Sequence, residues 1–146
     1  MFGFPYIVLT PAGSAEFIAR ARRVRKMLGG GMRQAGVIAA AALYALDNNF
    51  DRLEEDHENA HLIAEALAEV PFLTLNPAEV ETNIVIFTVE PPADPDQLQA
   101  RLRQRGVLVS KIGPRKLRAV THLDVSLKDA EKAADVIRDT CGALAQ

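Results

Sequence analysis

A single cysteine, Cys141, stands among 146 residues, which excludes an internal disulfide and any multi-cysteine zinc site. Such sparing use of cysteine suits a reducing compartment. Basic charge is not in excess either. The 17 Lys and Arg face 19 Asp and Glu, a net of −2 that gives the chain nothing to hold it on nucleic acid or an anionic membrane. Long hydrophobic runs are also missing. The longest uncharged stretch beyond the first residues, Ala35 to Leu46, falls short of the ~20 residues that cross a bilayer. The apolar opening from Met1 to Ala15 has no basic start and is broken by Pro5 and Pro11, so it does not read as a secretory signal. Internal repeats and low-complexity segments are absent. The expectation is a soluble, cytoplasmic chain. What is present is a 49% hydrophobic composition. At this length that is enough to bury roughly two-thirds of the unfolded surface, in one compact unit or two small ones.

The charge is unevenly placed, with Arg20, Arg22, Arg23, Arg25 and Lys26 early and Asp51, Glu54, Glu55, Asp56 and Glu58 later. Tyr6 to Leu9 reads as a strand. Ser14 then offers an N-cap, and Phe17, Ala21, Val24 and Leu28 recur at helical spacing up to Gly29. Gly29-Gly30-Gly31 follows, flanked by Lys26 and Arg33. Bare glycine amides between two cations can cradle an anion such as a phosphate; equally, they can cap a helix and begin a connector. Ala35 to Leu46 is apolar on every side, the pattern of a helix that must be buried. Asp47-Asn48-Asn49 interrupts it, and Phe50, Leu53, Ala60, Ala64 and Leu67 mark one face of a further helix that stops at Pro71.

From Phe72 the pattern turns to mixed strand and helix, so the spacing predicts a helical connector over 1–71 and a small α+β domain over 72–146. In the second, Ile84–Val89, Val107–Val109 and Leu117–Thr121 read as strands. A helix starts at Asp94-Pro95 and is capped by Gly106, and another opens on the capping-box spacing Ser126 to Asp129. The resulting unit is β-α-β-β-α with its helices on one side.

Three constellations bear on chemistry. His57-Glu58-Asn59-Ala60-His61 satisfies H-E-x-x-H, which on a helix can hold zinc with a glutamate as general base. Ala64 and Leu67, however, occupy the places where a metzincin continuation needs glycine and histidine, so a zinc peptidase is the weaker alternative and the histidines read more simply as surface groups. Arg118 lies inside a short apolar strand, where a guanidinium is well placed to grip a carboxylate in bidentate fashion, or else to sit in solvent on an edge. His122 is expected on its face with Asp124 following, yet no serine or cysteine completes a nucleophilic triad.

Several stretches together resemble one family. Arg23 to Gly36 (R-V-R-K-M-L-G-G-G-M-R-Q-A-G), Tyr44-Ala45-Leu46, Leu53 to His57, Thr82-Asn83 and Val120 to Ser126 (V-T-H-L-D-V-S) look like the C-terminal part of low-specificity L-threonine aldolases, from about Ser14 to the end. These are pyridoxal-phosphate lyases of the aspartate-aminotransferase fold type. The resemblance implies that Arg118 binds the α-carboxylate of an amino-acid substrate, that Lys26 and Arg33 reach the cofactor-phosphate region and a subunit interface, and that the protein is a homo-oligomer. It implies cleavage of L-threonine or L-allo-threonine to glycine and acetaldehyde. The departure is the Schiff-base lysine. The family carries it just upstream of the segment matching Glu16-Phe17-Ile18, where Phe4 to Leu9 here holds none, and the five lysines at 26, 111, 116, 128 and 132 all come later. The expectation is therefore a remnant of the large cofactor domain and a helical connector over 1–71, joined to the small domain, with no catalytic residue, no metal ligand and no pyridoxal phosphate held by this chain alone. A non-catalytic assembly module acting through Ala35 to Leu46 is the other reading.

Overall fold

Two helices of this chain end at a glycine of positive φ, Gly29 at 83° and Gly106 at 89°. The computed structural model describes residues 12–144, in two compact units, Met1–Phe50 and Asp51–Gln146. The strand expected over Tyr6–Leu9 lies outside the described residues.

In the first unit, α1 (Ala15–Met27) begins where the Ser14 hydroxyl accepts the Phe17 N–H at 3.2 Å, with Glu16 in its first turn. That pairing satisfies an otherwise orphaned donor at the positive end of the helix dipole. It ends at Gly29, whose φ of 83° needs glycine. The connector through Arg33 leads into α2 (Gly36–Asn49), which the apolar run had foretold. Neither helix has a buried residue within the chain. The expectation that the all-apolar helix is buried therefore does not hold in the chain by itself: Val37 is 79% and Leu43 59% exposed.

The second unit runs α3 (Leu53–Ala68), β1 (Leu73–Thr74), β2 (Ile84–Val89), α4 (Pro95–Gln104), β3 (Ser110–Lys111), β4 (Lys116–Val120) and α5 (Leu127–Gly142). The four strands form an antiparallel sheet in the order β1-β2-β4-β3. Strand alternation sends Val85, Phe87, Val89, Leu117 and Ala119 to one face. There they share one core with Ala60, Ile63, Ala64 and Leu67 of α3, Leu98 and Leu102 of α4, and Ile137 and Cys141 of α5. The apolar stripe of α3 closes over this sheet, so α3 belongs to the compact unit Asp51–Gln146.

Two caps came out as the spacing indicated. Asp94 accepts from Asp96 N–H at 2.9 Å with Pro95 behind it, and Ser126 and Asp129 form a reciprocal capping box. One strand did not. Val107–Val109 is held back against α4: the Val107 N–H bonds the Leu102 carbonyl at 2.9 Å and the Gln99 side chain donates to the Val109 carbonyl at 2.8 Å. Pairing with β4 begins only at Ser110. On the other edge, β1 is two residues long and offered no periodic signal. Among the described residues, no helix is long and apolar enough to cross a membrane.

Candidate functional site

The face of the sheet turned away from the helices can be read from its register. Thr74 pairs with Thr88, Thr88 with Lys116, Ile86 with Arg118, Ile84 with Val120, and Ser110 with Arg118, so these side chains share one side. Among the described residues, two cations and no carboxylate stand on it. Ile84, Ile86 and Val120 are each more than two-fifths exposed, so no described residue of this unit covers the face.

Arg118 sits at the centre of that face, flanked across the ladder by Ile86 and Ser110. It is half-buried, and its Nε is shut off from solvent without a hydrogen-bond partner. An unpaired buried guanidinium nitrogen carries a cost that an acceptor on this face would remove. A carboxylate is the acceptor whose shape matches the planar fork.

The end of β4 next to this arginine is fastened from three sides. Thr121, buried, donates from Oγ1 to the Asp56 carbonyl at 2.6 Å. Its N–H bonds the Asn83 carbonyl at 3.0 Å, and Asn83 Nδ2 returns a bond to the Thr121 carbonyl at 2.7 Å. Asn59 Nδ2 holds the Val125 carbonyl at 3.0 Å. Three of the stretches that carried the resemblance, Leu53 to His57, Thr82-Asn83 and Val120 to Ser126, thus converge on one strand end, 38 to 66 residues apart in sequence. Thr121, Asn83 and Asn59 position the strand. Residue type alone gives no sign of it, since the partners are backbone carbonyls brought close only by folding.

β4 stops at Val120, so His122 lies beyond the ladder and does not continue the face of Arg118 as expected. The tight turn that closes at the Val125 N–H to His122 carbonyl bond, 2.7 Å, breaks the alternation. His122 Nδ1 accepts the Asp124 N–H at 3.3 Å, with the Asp124 carboxylate at 3.8 Å and almost fully exposed. Among the described residues, no nucleophile meets this pair: Ser126 is committed to its cap, and Cys141 is buried, with burial pushing its thiol up to about 11.

The glycine turn resolves differently from an anion cradle. Gly29 N–H bonds the Lys26 carbonyl at 3.2 Å, Gly30 N–H the Arg25 carbonyl at 2.8 Å, and Gly31 N–H the Gly29 carbonyl at 2.8 Å. The first two bonds are the paired closure of a Schellman cap, and with the third they leave no glycine N–H free for a phosphate. Gly30 is required for its size, because an added Cβ would stand 2.7 Å from the Arg25 Cγ and 3.0 Å from the Arg25 carbonyl oxygen. Lys26, in the last turn of α1, lays its Nζ over Gly31, and Arg33 follows in the exposed connector. These two cations flank the same turn, whereas Arg118 belongs to the other unit.

His57 and His61 face solvent from α3 beside Glu54, Glu58 and Glu65, with His61 Nε2 4.0 Å from Glu65. Among the described residues, no group of three or more His, Cys, Asp or Glu side chains is gathered to hold a metal ion. The third ligand that a zinc peptidase needs is not supplied there.

Comparison with known proteins agrees with the converging segments. A beta-eliminating lyase family model matches residues 9–90. The chain is 40% identical over 119 residues to low-specificity L-threonine aldolase 1 of Arabidopsis thaliana, covering 80% of this chain and 33% of that protein. It is 45% identical over 123 residues to the probable low-specificity L-threonine aldolase 2 of the same plant, covering 82% and 34%. With the low specificity L-threonine aldolase of Escherichia coli K12 it shares 41% over 122 residues, covering 84% and 35%. The chain thus spans about a third of the length of the curated relatives it matches. Among solved structures, MppP soaked with the product 2-ketoarginine superposes with a TM-score of 0.52 at 18% identity, over 66% of this chain and 30% of that one, a likeness of fold. With more than half its residues matched by the family model, the chain belongs to the beta-eliminating lyase family.

Proposed function

We propose that this chain supplies the substrate-carboxylate arginine and two phosphate-region cations of a pyridoxal-phosphate-dependent lyase acting on threonine or allo-threonine. The observation that carries the reading is Arg118, whose buried Nε lacks a partner on a sheet face with cations and no acid. In this reading Arg118 grips the α-carboxylate and orients the amino acid. Ser110, directly across the ladder, is a neighbouring polar group on the same face, and the Thr121, Asn83 and Asn59 bonds hold the strand end in place. Lys26 and Arg33 meet the charge of the cofactor phosphate through their side chains, since the glycine amides between them are already bonded.

Those residues fit the anionic ends of such a site and not its reactive centre. In that chemistry the cofactor ring takes up the electrons released when the Cα–Cβ bond breaks. It is held there through a lysine, and no lysine of this chain stands where the family carries one. The 146 residues on their own are therefore expected to release no glycine from threonine when pyridoxal phosphate is added. A chimera tests both halves of the reading. Replacing the matching third of the Escherichia coli aldolase with residues 14–146 is expected to give an active lyase, in which Arg118→Ala raises KM for threonine by about tenfold to a hundredfold, the loss of a charge-assisted bidentate pair. A folded chimera that is inert, or one indifferent to Arg118→Ala, overturns it.

The exposure of α2 supports association with a further chain, a second copy above all. Val37, Ile38, Leu43, Tyr44 and Leu46 are all open to solvent on a helix that has no charge between Gly36 and Leu46. Sedimentation at rising concentration is expected to reveal a dimer or larger species that Leu43→Glu returns toward monomer. A wild-type chain that stays monomeric throughout removes this element of the reading.

A further inference from the structure

The same ties that hold Val107–Val109 against α4 leave a gap in the sheet. Register places Ser110 opposite Arg118, and the Ile112 N–H bonds the Lys116 carbonyl at 3.0 Å, so Leu108 would be the next partner, opposite Val120. Leu108 is instead 68% exposed, and pairing of β3 with β4 ends at Arg118. Thr121 turns its N–H and carbonyl toward Asn83 on the opposite side. By the alternation of an antiparallel ladder, the Val120 N–H and carbonyl therefore face the gap.

Beside that open edge lies a cavity of about 320 Å³, bounded by Val107–Val109, β4 and α5. Ile63, Leu67, Phe87, Leu102, Ala119 and Ile137 give it an apolar interior. Its size is at the lower end of small-molecule pockets, which run from about 300 to 1,000 Å³, and its apolar inner wall suits a short hydrocarbon chain.

Four charged or titratable side chains line it: Arg105, His122, Asp129 and Lys132. Arg105 is occupied, by Asp139 at 3.1 Å and Thr140 Oγ1 at 3.1 Å. The Asp129 carboxylate takes both the N–H and the hydroxyl of Ser126, and His122 accepts the Asp124 N–H. Lys132, exposed on α5, adds to the Ser126 hydrogen bonds that hold the Asp129 carboxyl low, but makes no ion pair with any described residue. An apolar interior, a cation free of ion pairs and an open strand edge thus meet at one opening, with the Asp129 carboxylate already bonded to Ser126.

We infer that this cavity binds a small aliphatic carboxylate, its hydrocarbon body among Phe87, Ala119 and Ile137 and its head group at Lys132 and the Val120 N–H. The site is on the helix side of the sheet, away from the face that carries Arg118, and it stands independently of the lyase reading.

Titration of the full chain with hexanoate, hexanol and hexylammonium, followed by amide chemical shifts and calorimetry, tests it. Saturable shifts are expected at Val107–Val109, Val120 and Lys132, with hexanoate binding tightest and hexylammonium weakest. Lys132→Met, on an exposed helix position, is expected to weaken hexanoate by about twofold to fivefold, the range of an exposed charge contact, and to leave hexanol unchanged. Ala133→Leu, which grows into the cavity from α5, is expected to remove binding of all three. Shifts that do not saturate or fall elsewhere overturn the inference, as does hexylammonium binding as tightly as hexanoate. Should Ala133→Leu fail to fold, Lys132→Met decides alone, and hexanoate affinity unchanged in that variant overturns the carboxylate site.

Discussion

α2 and α5 are both made largely of good helix formers, yet one has no buried residue in the chain and the other is locked into the core. The difference is how their apolar residues are distributed. α5 gathers Ala130, Ala134, Ile137 and Cys141 on one stripe and leaves its charges opposite, so a single sheet face satisfies it. α2 is apolar around its whole circumference, with more faces than one small unit can cover. The same contrast separates the two halves of the molecule. Among the described residues, the hydrophobic core of the second unit draws on positions from Ala60 to Leu144, and α1 and α2 of the first unit have no buried residue.

The sharpest way to break that comparison is to remove matched bulk from each side. Phe87→Ala is expected to destabilise the second unit by about 3–5 kcal/mol in denaturant unfolding, the usual cost of deleting a buried aromatic ring. Leu43→Ala, under conditions where the chain is monomeric, is expected to change the same transition by no more than about 0.5 kcal/mol. Similar losses from the two would mean that α2 is buried after all.

A smaller effect is expected at the start of α5. Ser126→Ala removes the cap that accepts the Asp129 N–H and is expected to cost about 0.5–2 kcal/mol in the same measurement. Ser14→Ala at the start of α1, a helix without buried residues, should leave that transition unmoved and show only as lost helical circular dichroism.

The smallest effect is in pH. Hydrogen bonds from Ser126 hold the Asp129 carboxyl below its ordinary value, and the Arg138 fork does the same for Glu69 at 2.6 and 3.1 Å. A carboxyl depressed in the folded state contributes stability above its unfolded pKa, near 4, and that contribution is lost as pH falls through the folded value. Both groups are exposed, so the loss is expected to be gentle and weaker in high salt. Ser126→Ala should flatten the acid limb of the stability profile, and an unchanged limb would remove Asp129 from the account.

Much of this architecture was legible in residue order. Caps at Ser14, Asp94 and Ser126 and the β-branched run Ile84–Val89 announced themselves because each depends on chemistry within a few residues. The helix stop at Gly29 was legible for the same reason, while the phosphate cradle was not decided locally: whether a glycine N–H meets a carbonyl or an anion depends on how tightly the helix end closes. Val107–Val109 had the composition of a strand and was claimed by α4 through bonds from Leu102 and Gln99. Arg118 could be picked out as an arginine in an apolar strand, though its isolation on an acid-free face emerges only from the register of four strands.

The amino-acid sequence by itself determined the helix starts and stops, the faces of β2 and β4, and kinship to a lyase family, because propensity, alternation and motif are properties of neighbouring residues. Tertiary structure alone decided that α3 joins the sheet, that Thr121, Asn83 and Asn59 fasten the end of the Arg118 strand, and that a cavity opens where the third strand fails to pair. Those outcomes turn on which buried groups find partners across tens of residues, and that is settled only when the chain has closed on itself.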